Sequence, residues 1–305
     1  MLQEAPVKAK WHIVAVSRAR DYNQLLKPNL SGMVVFSSVI GYLMAPNVHF
    51  VWNNMGLWQD IITLFLGGML VTGGANTINQ ILERESDMLM KRTRTRPLPE
   101  GRMGQTEAWI FAIVTGIAGS VLLSLKFNPL AGILSFISLL LYAFVYTPMK
   151  KVHPVAVLIG AIPGALPPLI GWVAATGSLG VGGWVLFSLQ FFWQFPHFWA
   201  IAWVAFDDYN QAGIRMLPTK EKDTRFTGIQ CMLYSLVLIP LATLPHMMGL
   251  IGVVGMWVCM LGGGMYFIAS IIFYLKNDHK SARRVMFASF IYLPVVLLAL
   301  VIDKL

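Results

Sequence analysis

The chain has 305 residues, of which 56% are hydrophobic and only 12% charged. Soluble domains usually carry about 25% charged residues, so this composition excludes an ordinary water-soluble fold and points to a chain solvated by lipid. A net charge of +9 would favour nucleic-acid binding in a soluble protein, but here the basic residues lie between apolar runs, where topology accounts for them and no nucleic-acid partner is needed.

The first 28 residues are polar and basic (Lys8, Lys10, Arg18, Arg20, Lys27), with no apolar stretch of the signal-peptide kind. We read 1–28 as a cytoplasmic N-terminal segment. Nine apolar runs follow, at 29–46, 58–80, 107–125, 129–147, 154–174, 182–205, 226–245, 250–275 and 284–303. About 20 helical residues cross the hydrocarbon. The runs are continuous rather than alternating, which predicts helices and excludes a barrel. Residues 29–305 therefore read as a single all-α domain of nine transmembrane helices. Cys231 and Cys259 lie inside apolar runs, a spacing that suggests neither a disulfide nor a zinc site.

The loops sort by charge. Of 23 Lys and Arg, all but Lys126 and Lys304 fall in the N-terminal segment or in the loops after helices two, four, six and eight. That asymmetry predicts an odd number of helices and a cytoplasmic N-terminus. Acids are scarce, 14 in all, and several of them cluster in two of the same loops. Glu83, Glu85 and Asp87 follow helix two; Asp207 and Asp208 follow helix six. A four-helix separation suggests an ancient duplication, although no residue-level repeat is visible.

After helix two, Asn79, Glu83, Asp87 and Lys91 recur at steps of four. Each step turns about 40° around a helix, so on one continuous helix they form a slowly drifting stripe. Hard cations such as Mg2+ take oxygen ligands and leave positions for substrate phosphates. Lys91, Arg92, Arg94 and Arg96 come directly after the acids, and Arg forks match phosphate oxygens. These are the parts needed to ionise a diphosphate ester. Singly, Arg94, Arg96 and Arg102 read equally well as positive-inside charges or i,i+4 partners. Acids aligned at a membrane boundary read as function.

In the sixth run His197 sits beside Pro196, eleven residues before Asp208. That is about 20° around a continuous helix, so the two predict a shared stripe leading to the site. His197 reads as a haem contact or proton carrier, against a structural histidine satisfying a carbonyl freed by the proline. Phe191, Phe192, Trp193, Phe195, Phe198, Trp199 and Trp203 wall a cavity or simply pack, and the glycines of helices two, five and six (Gly67 and Gly171 among them) admit a ligand or a neighbouring helix.

The Asn79–Pro97 segment resembles the Asn-x-x-x-Asp-x-x-x-Asp motif of the UbiA superfamily of intramembrane prenyltransferases. Asn79 and Asp87 match, and Glu83 stands for the first Asp. The Lys-Arg-Thr-Arg-x-Arg-Pro tail at 91–97 resembles the protohaem IX farnesyltransferase branch. So do Tyr146-Thr147-Pro148 before Lys150-Lys151, Gly164-Ala-Leu-Pro167-Pro168, Trp193-Gln194-Phe-Pro196-His197-Phe198, and Asp207-Asp208-Tyr209 running on to Pro218. The likeness runs from about residue 27 to the C-terminus. It departs near Ala156, where the branch often has Asn. It departs again at Asp207-Asp208-Tyr209, which is not the superfamily's Asp-x-x-x-Asp.

The resemblance implies a UbiA-type bundle with a central cavity in a bacterial inner membrane. It implies transfer of the farnesyl group of farnesyl diphosphate to a vinyl group of haem B with addition of water, giving haem O and diphosphate. Asn79, Glu83 and Asp87 would hold Mg2+, joined by Asp207 or Asp208. Lys91, Arg92, Arg94, Lys150, Lys151, Arg215 and Tyr146 would grip the diphosphate, and His197 and Asp208 would join the catalytic set. A haem A synthase is an expected downstream partner. Transfer to a quinone precursor or another tetrapyrrole shares the same diphosphate half. A lipid or haem transporter fits the helices, but its ionisable residues would sit near mid-membrane.

Overall fold

The computed structural model describes residues 7–218 and 225–305, with side chains from residue 17 onward. Lys8, Lys10, Lys220 and Lys222, which entered the charge asymmetry, lie outside the described side chains. Every apolar run of the sequence is a helix. In chain order these are α2 (Pro28–Leu43), α3 (Met55–Leu82), α5 (Gln105–Lys126), α6 (Pro129–Leu140), α8 (Ala156–Thr176), α9 (Val181–Val204), α11 (Phe226–Leu241), α13 (Val253–Lys276) and α14 (His279–Ile302). Among the described residues, seven helical spans are long and apolar enough to cross a membrane by length and composition, α6 and α11 being counted with the short helices α7 (Thr147–Met149) and α12 (Leu244–Met247) that follow them. The other two are α2, at 16 residues, and α9, whose Gln190, Gln194, His197 and four tryptophans dilute its apolarity.

The structure adds an element that polarity concealed. Residues Val7–Leu26 form a 20-residue helix, α1, against the end of α3. Buried Gln80 of α3 donates to the Leu25 carbonyl at 3.0 Å. Arg102, in the loop before α5, pairs with Asp21 at 2.9 Å. Lys27 then turns the chain from α1 into α2 with a left-handed backbone, φ 48°.

Small residues set the closest helix contacts. Where α2 crosses α8, a methyl on Gly171 would lie 1.8 Å from the Ser38 carbonyl oxygen, and one on Gly41 would lie 2.0 Å from that of Pro168. With no hydrophobic drive between helices in lipid, such backbone approach supplies the packing. The outer surface is apolar, as on α5, where Ile110, Val114, Ile117 and Val121 are exposed on one face. Exposed apolar side chains at helical spacing suit a lipid boundary.

The two basic residues on the sparsely charged side are both engaged. Lys126 pairs with Asp60 at 2.8 Å. Lys304 donates to the carbonyls of Leu43 and Ala45 at 2.7 Å each, and to that of Val48. Asp303 accepts from the Gly255 N–H at 2.6 Å. The C-terminus therefore staples α14 to the end of α2 and the start of α13. Cys231 and Cys259 are buried, free thiols.

Because the atoms facing Gly171 are backbone, they cannot swing aside. Gly171→Ala is expected to destabilise the bundle by about 1–3 kcal/mol, the usual cost of overpacking, seen as a lower thermal midpoint in detergent. An unchanged midpoint would mean that α2 and α8 are not in this close contact.

Candidate diphosphate and metal site

The end of α3 builds the site. Asn79, Glu83 and Asp87 are all buried, at 2%, 5% and 1% exposure. The helix does not continue unbroken: it stops at Leu82, Glu83 occupies the junction, and the short helix α4 (Arg84–Leu89) carries Asp87. The Asp87 N–H still donates to the Glu83 carbonyl at 2.7 Å, so three members of the predicted stripe keep one face. The fourth does not. Met90 is extended and Lys91 is exposed beyond the helix.

Each of the three polar side chains meets one cation. Lys27 Nζ donates to Asn79 Oδ1 at 3.2 Å. Lys150 Nζ pairs with Glu83 Oε1 at 2.6 Å. Arg96 Nη1 pairs with Asp87 Oδ2 at 2.6 Å. Asn79 Nδ2 also donates to Glu83 Oε2 at 2.8 Å and to Thr147 Oγ1 at 3.2 Å. Thr147 is aimed inward by a π-helical turn, Leu141–Tyr146, between α6 and the single-turn helix α7 (Thr147–Met149). Such turns recur at functional sites because they re-aim the residues that follow. Asp87 Oδ1 is buried and has no hydrogen-bond partner.

Burial and charge set the protonation of these groups. Burial pushes the Asp87 carboxyl above the usual range, although Arg96 pulls it down. Burial also lowers the Lys27 ammonium to about 7, helped by Arg96 and Lys150, while Glu83 and Asp87 act in the opposite direction. For Lys150 burial lowers the pKa, but Glu83 together with Tyr142 and Tyr209 raises it, and the ammonium is held above its ordinary value.

The remaining sequence candidates distribute unevenly. Tyr146 is buried, and the Lys150 ammonium lies 4.8 Å from its ring centroid. Arg92, Arg94, Lys151 and Arg215 are exposed. The Arg215 N–H donates to the Lys150 carbonyl at 2.7 Å, which ties the loop after α10 (Phe206–Gln211) to the residue that holds Glu83. Asp207 is exposed and Asp208 half-buried on α10. Among the described residues no three His, Cys, Asp or Glu side chains gather closely enough to hold a metal by themselves. An oxygen set here therefore draws on Asn79 as well as Glu83 and Asp87. That set suits a hard cation, and the orphaned Asp87 oxygen is a lone pair available to one. Sequence reasoning left out Lys27 and Thr147 as site residues and left Arg96 undecided. Lys27 sits 52 residues from its partner, so no local spacing announces it.

His197 is not on one helix with Asp208, because α9 ends at Val204 and the chain turns at Ala205. Its Nδ1 lies 2.7 Å from Ser289 Oγ on α14, and its ring stacks on Trp193 at 4.7 Å. The α9 aromatics largely pack on other helices, Phe195 on Tyr234 and Trp203 on Phe273. An apolar cleft lies elsewhere, between α2, α3, α5, α6 and α8, lined by Val35, Leu64, Gly68, Thr72, Ser135 and Pro167 among others. Thr72 is two turns along α3 from Asn79, or about 10 Å.

Lys27 supplies a test by pH. Its ammonium is present below about 7 and lost above it. Affinity for inorganic diphosphate should therefore weaken as pH rises through about 7, and Lys27→Gln should flatten that limb, as titration calorimetry of the full chain would read. An identical limb in Lys27→Gln would take Lys27 out of the site.

Residues 34–293 match the UbiA prenyltransferase family. Protoheme IX farnesyltransferase of Cytophaga hutchinsonii is 46% identical over 288 residues, covering 94% of this chain and 99% of that protein. The protein of the same name from Flavobacterium johnsoniae is 40% identical, covering 93% and 94%. Among solved structures, a digeranylgeranylglyceryl phosphate synthase superposes with a TM-score of 0.76 at 21% identity, over 94% of this chain and 98% of that one. A UbiA homologue from Archaeoglobus fulgidus bound to GPP and Mg2+ superposes with a TM-score of 0.58 at 17% identity, over 92% and 99%. The chain belongs to the UbiA prenyltransferase family.

Proposed function

We infer that the chain transfers the farnesyl group of farnesyl diphosphate to a vinyl group of haem B with addition of water, giving haem O and releasing diphosphate. Similarity along nearly the whole chain to proteins named protoheme IX farnesyltransferase supports the substrates. The single structural observation that carries the diphosphate half is the buried trio Asn79, Glu83 and Asp87, each facing a cation.

Asn79, Glu83 and Asp87 are the residues we assign to Mg2+. When bound there, the cation would neutralise charge on the departing diphosphate. Lys150, Lys91, Arg92, Arg94, Lys151 and Arg215 are the residues we assign as donors for phosphate oxygens. Tyr146 adds a hydroxyl beside Lys150. In this reading Asp207 and Asp208 complete the site from the second loop, whose later residue Arg215 bonds the Lys150 carbonyl. The apolar cleft that begins two turns from Asn79 has the lining a farnesyl chain needs, and at about 50 Å³ it takes that chain only on widening. Held there, the allylic carbon stays away from bulk water while its leaving group sits among cations. His197, in the α9–α14 seam, is assigned to the haem side as a contact or proton carrier.

All nine helices cross the membrane in this assignment, with the N-terminus and the acidic loops cytoplasmic and the chain in a bacterial inner membrane. The 16-residue α2 is about 24 Å long and is extended by Met44 and Ala45, both fully buried. The engaged state of Lys126 and Lys304 supports the charge asymmetry, since both exceptions have structural partners. A downstream haem A synthase is the partner we assign to the product.

Membranes containing the chain should make haem O from farnesyl diphosphate and haem B, and should lose it on metal chelation. Asp87→Asn is expected to lower the rate at least ~100-fold, the scale of removing one transition-state stabiliser, with the folded protein and haem binding retained. Haem O formed at a near-normal rate by Asp87→Asn would overturn the metal assignment. Prenylation of a quinone precursor with haem untouched would overturn the acceptor.

A further inference from the structure

The one-to-one matching of cations and ligand oxygens has a mechanistic consequence. All three side chains assigned to the metal already have a cation on an oxygen: Lys27 on Asn79, Lys150 on Glu83 and Arg96 on Asp87. Asp87 Oδ1 is buried with neither a hydrogen bond nor an ion pair, whereas Glu83 Oε1, also without a hydrogen bond, faces the Lys150 ammonium. Two carboxylates thus face three cations. A divalent ion entering alone would raise the local charge from about +1 to about +3 in a poorly solvated pocket, where like charges repel strongly. A diphosphate ester entering with it brings about three negative charges and gives the displaced ammonium and guanidinium groups new oxygen partners.

We propose that Lys27, Lys150 and Arg96 are displaceable stand-ins for the metal. They occupy the ligand oxygens while the site is metal-free, Lys150 and Arg96 neutralising carboxylates and Lys27 bonding an amide, and move to the diphosphate when metal and substrate enter together. Metal and diphosphate therefore bind with strong positive coupling, and a divalent cation alone binds weakly. The three stand-ins come from separate parts of the chain: the α1–α2 turn, the loop after α7 and the loop after α4. Lys27 reaches in from its left-handed turn, and Lys150 is anchored through its own carbonyl to Arg215. Motion of any of these segments is felt at the ligands. The proposal rests on Asn79, Glu83 and Asp87 being the metal ligands, and the test separates the two claims.

Mn2+ retained on the full-length chain in detergent, measured by equilibrium dialysis against all Mn2+ outside the protein (free ion and Mn2+–diphosphate complex together), reads the coupling. Wild type should bind Mn2+ alone weakly, and saturating inorganic diphosphate should tighten it about 10-fold or more, within the 5–150-fold range of coupled sites. Lys27→Met and Arg96→Met should each bind Mn2+ alone several-fold more tightly than wild type and gain less from diphosphate. Arg96→Met leaves Asp87 buried without its partner and can fail to fold. Lys27 contacts an amide rather than a carboxylate, so Lys27→Met decides the matter. Wild-type affinity for Mn2+ that is the same with and without diphosphate would overturn the exchange, as would weaker Mn2+ binding by Lys27→Met. Asp87→Asn reports on the metal assignment separately: undiminished Mn2+ binding in that variant would overturn the ligand set and the exchange with it.

Discussion

Buried carboxylates at the edge of a membrane need compensating charge, and the end of this bundle where α3 meets α4 is organised around that requirement. Taking an acid out of water costs several kcal/mol unless a partner restores the lost solvation. Glu83 and Asp87 are both below 6% exposed. Their partners come from loops that would otherwise have no reason to meet: Lys150 after α7 and Arg96 after α4. The amide of Asn79 links Glu83, Thr147 and Lys27 in one hydrogen-bonded cluster. Charge pairing therefore gathers the chemistry-bearing loops in one place, and the helices beneath supply a rigid frame and an apolar cleft.

That frame is held by means suited to lipid. Close backbone approach at Gly41 and Gly171 packs α2 on α8. On the opposite end, Lys304 caps three carbonyls near the end of α2, and Asp303 caps the start of α13. The last helix is thereby joined to the first apolar one. Lys27, which meets Asn79 of α3, thus stands at the start of a helix fixed at its crossing with α8 and at its far end.

Much of this was legible in the sequence, for identifiable reasons. Nine apolar runs became nine helices because a continuous apolar segment in lipid has no other way to pair its backbone. Asn79, Glu83 and Asp87 share a face because helical period survives the short break at Glu83. Lys91 left the stripe because Met90 is extended, a backbone choice that residue spacing does not encode. The same kind of break at Ala205 separates His197 from Asp208. α1 was missed because its polar sequence gives no apolar period, and its docking depends on Gln80 and Arg102 far along the chain. Lys27 was visible only as a positive charge near a membrane. Its place against Asn79 is a tertiary fact.

The divalent cation and the diphosphate are assigned to one place, the end of α3. The most direct measurement is a structure of the full chain with Mn2+ and a non-reactive farnesyl diphosphate analogue, with the metal located by its anomalous scattering. The account predicts one Mn2+ peak among the side-chain oxygens of Asn79, Glu83 and Asp87, with the diphosphate bridging it to Lys27, Lys150 or Arg96. A metal bound instead at Asp207 and Asp208 alone, with Glu83 and Asp87 still paired to Lys150 and Arg96, would contradict it.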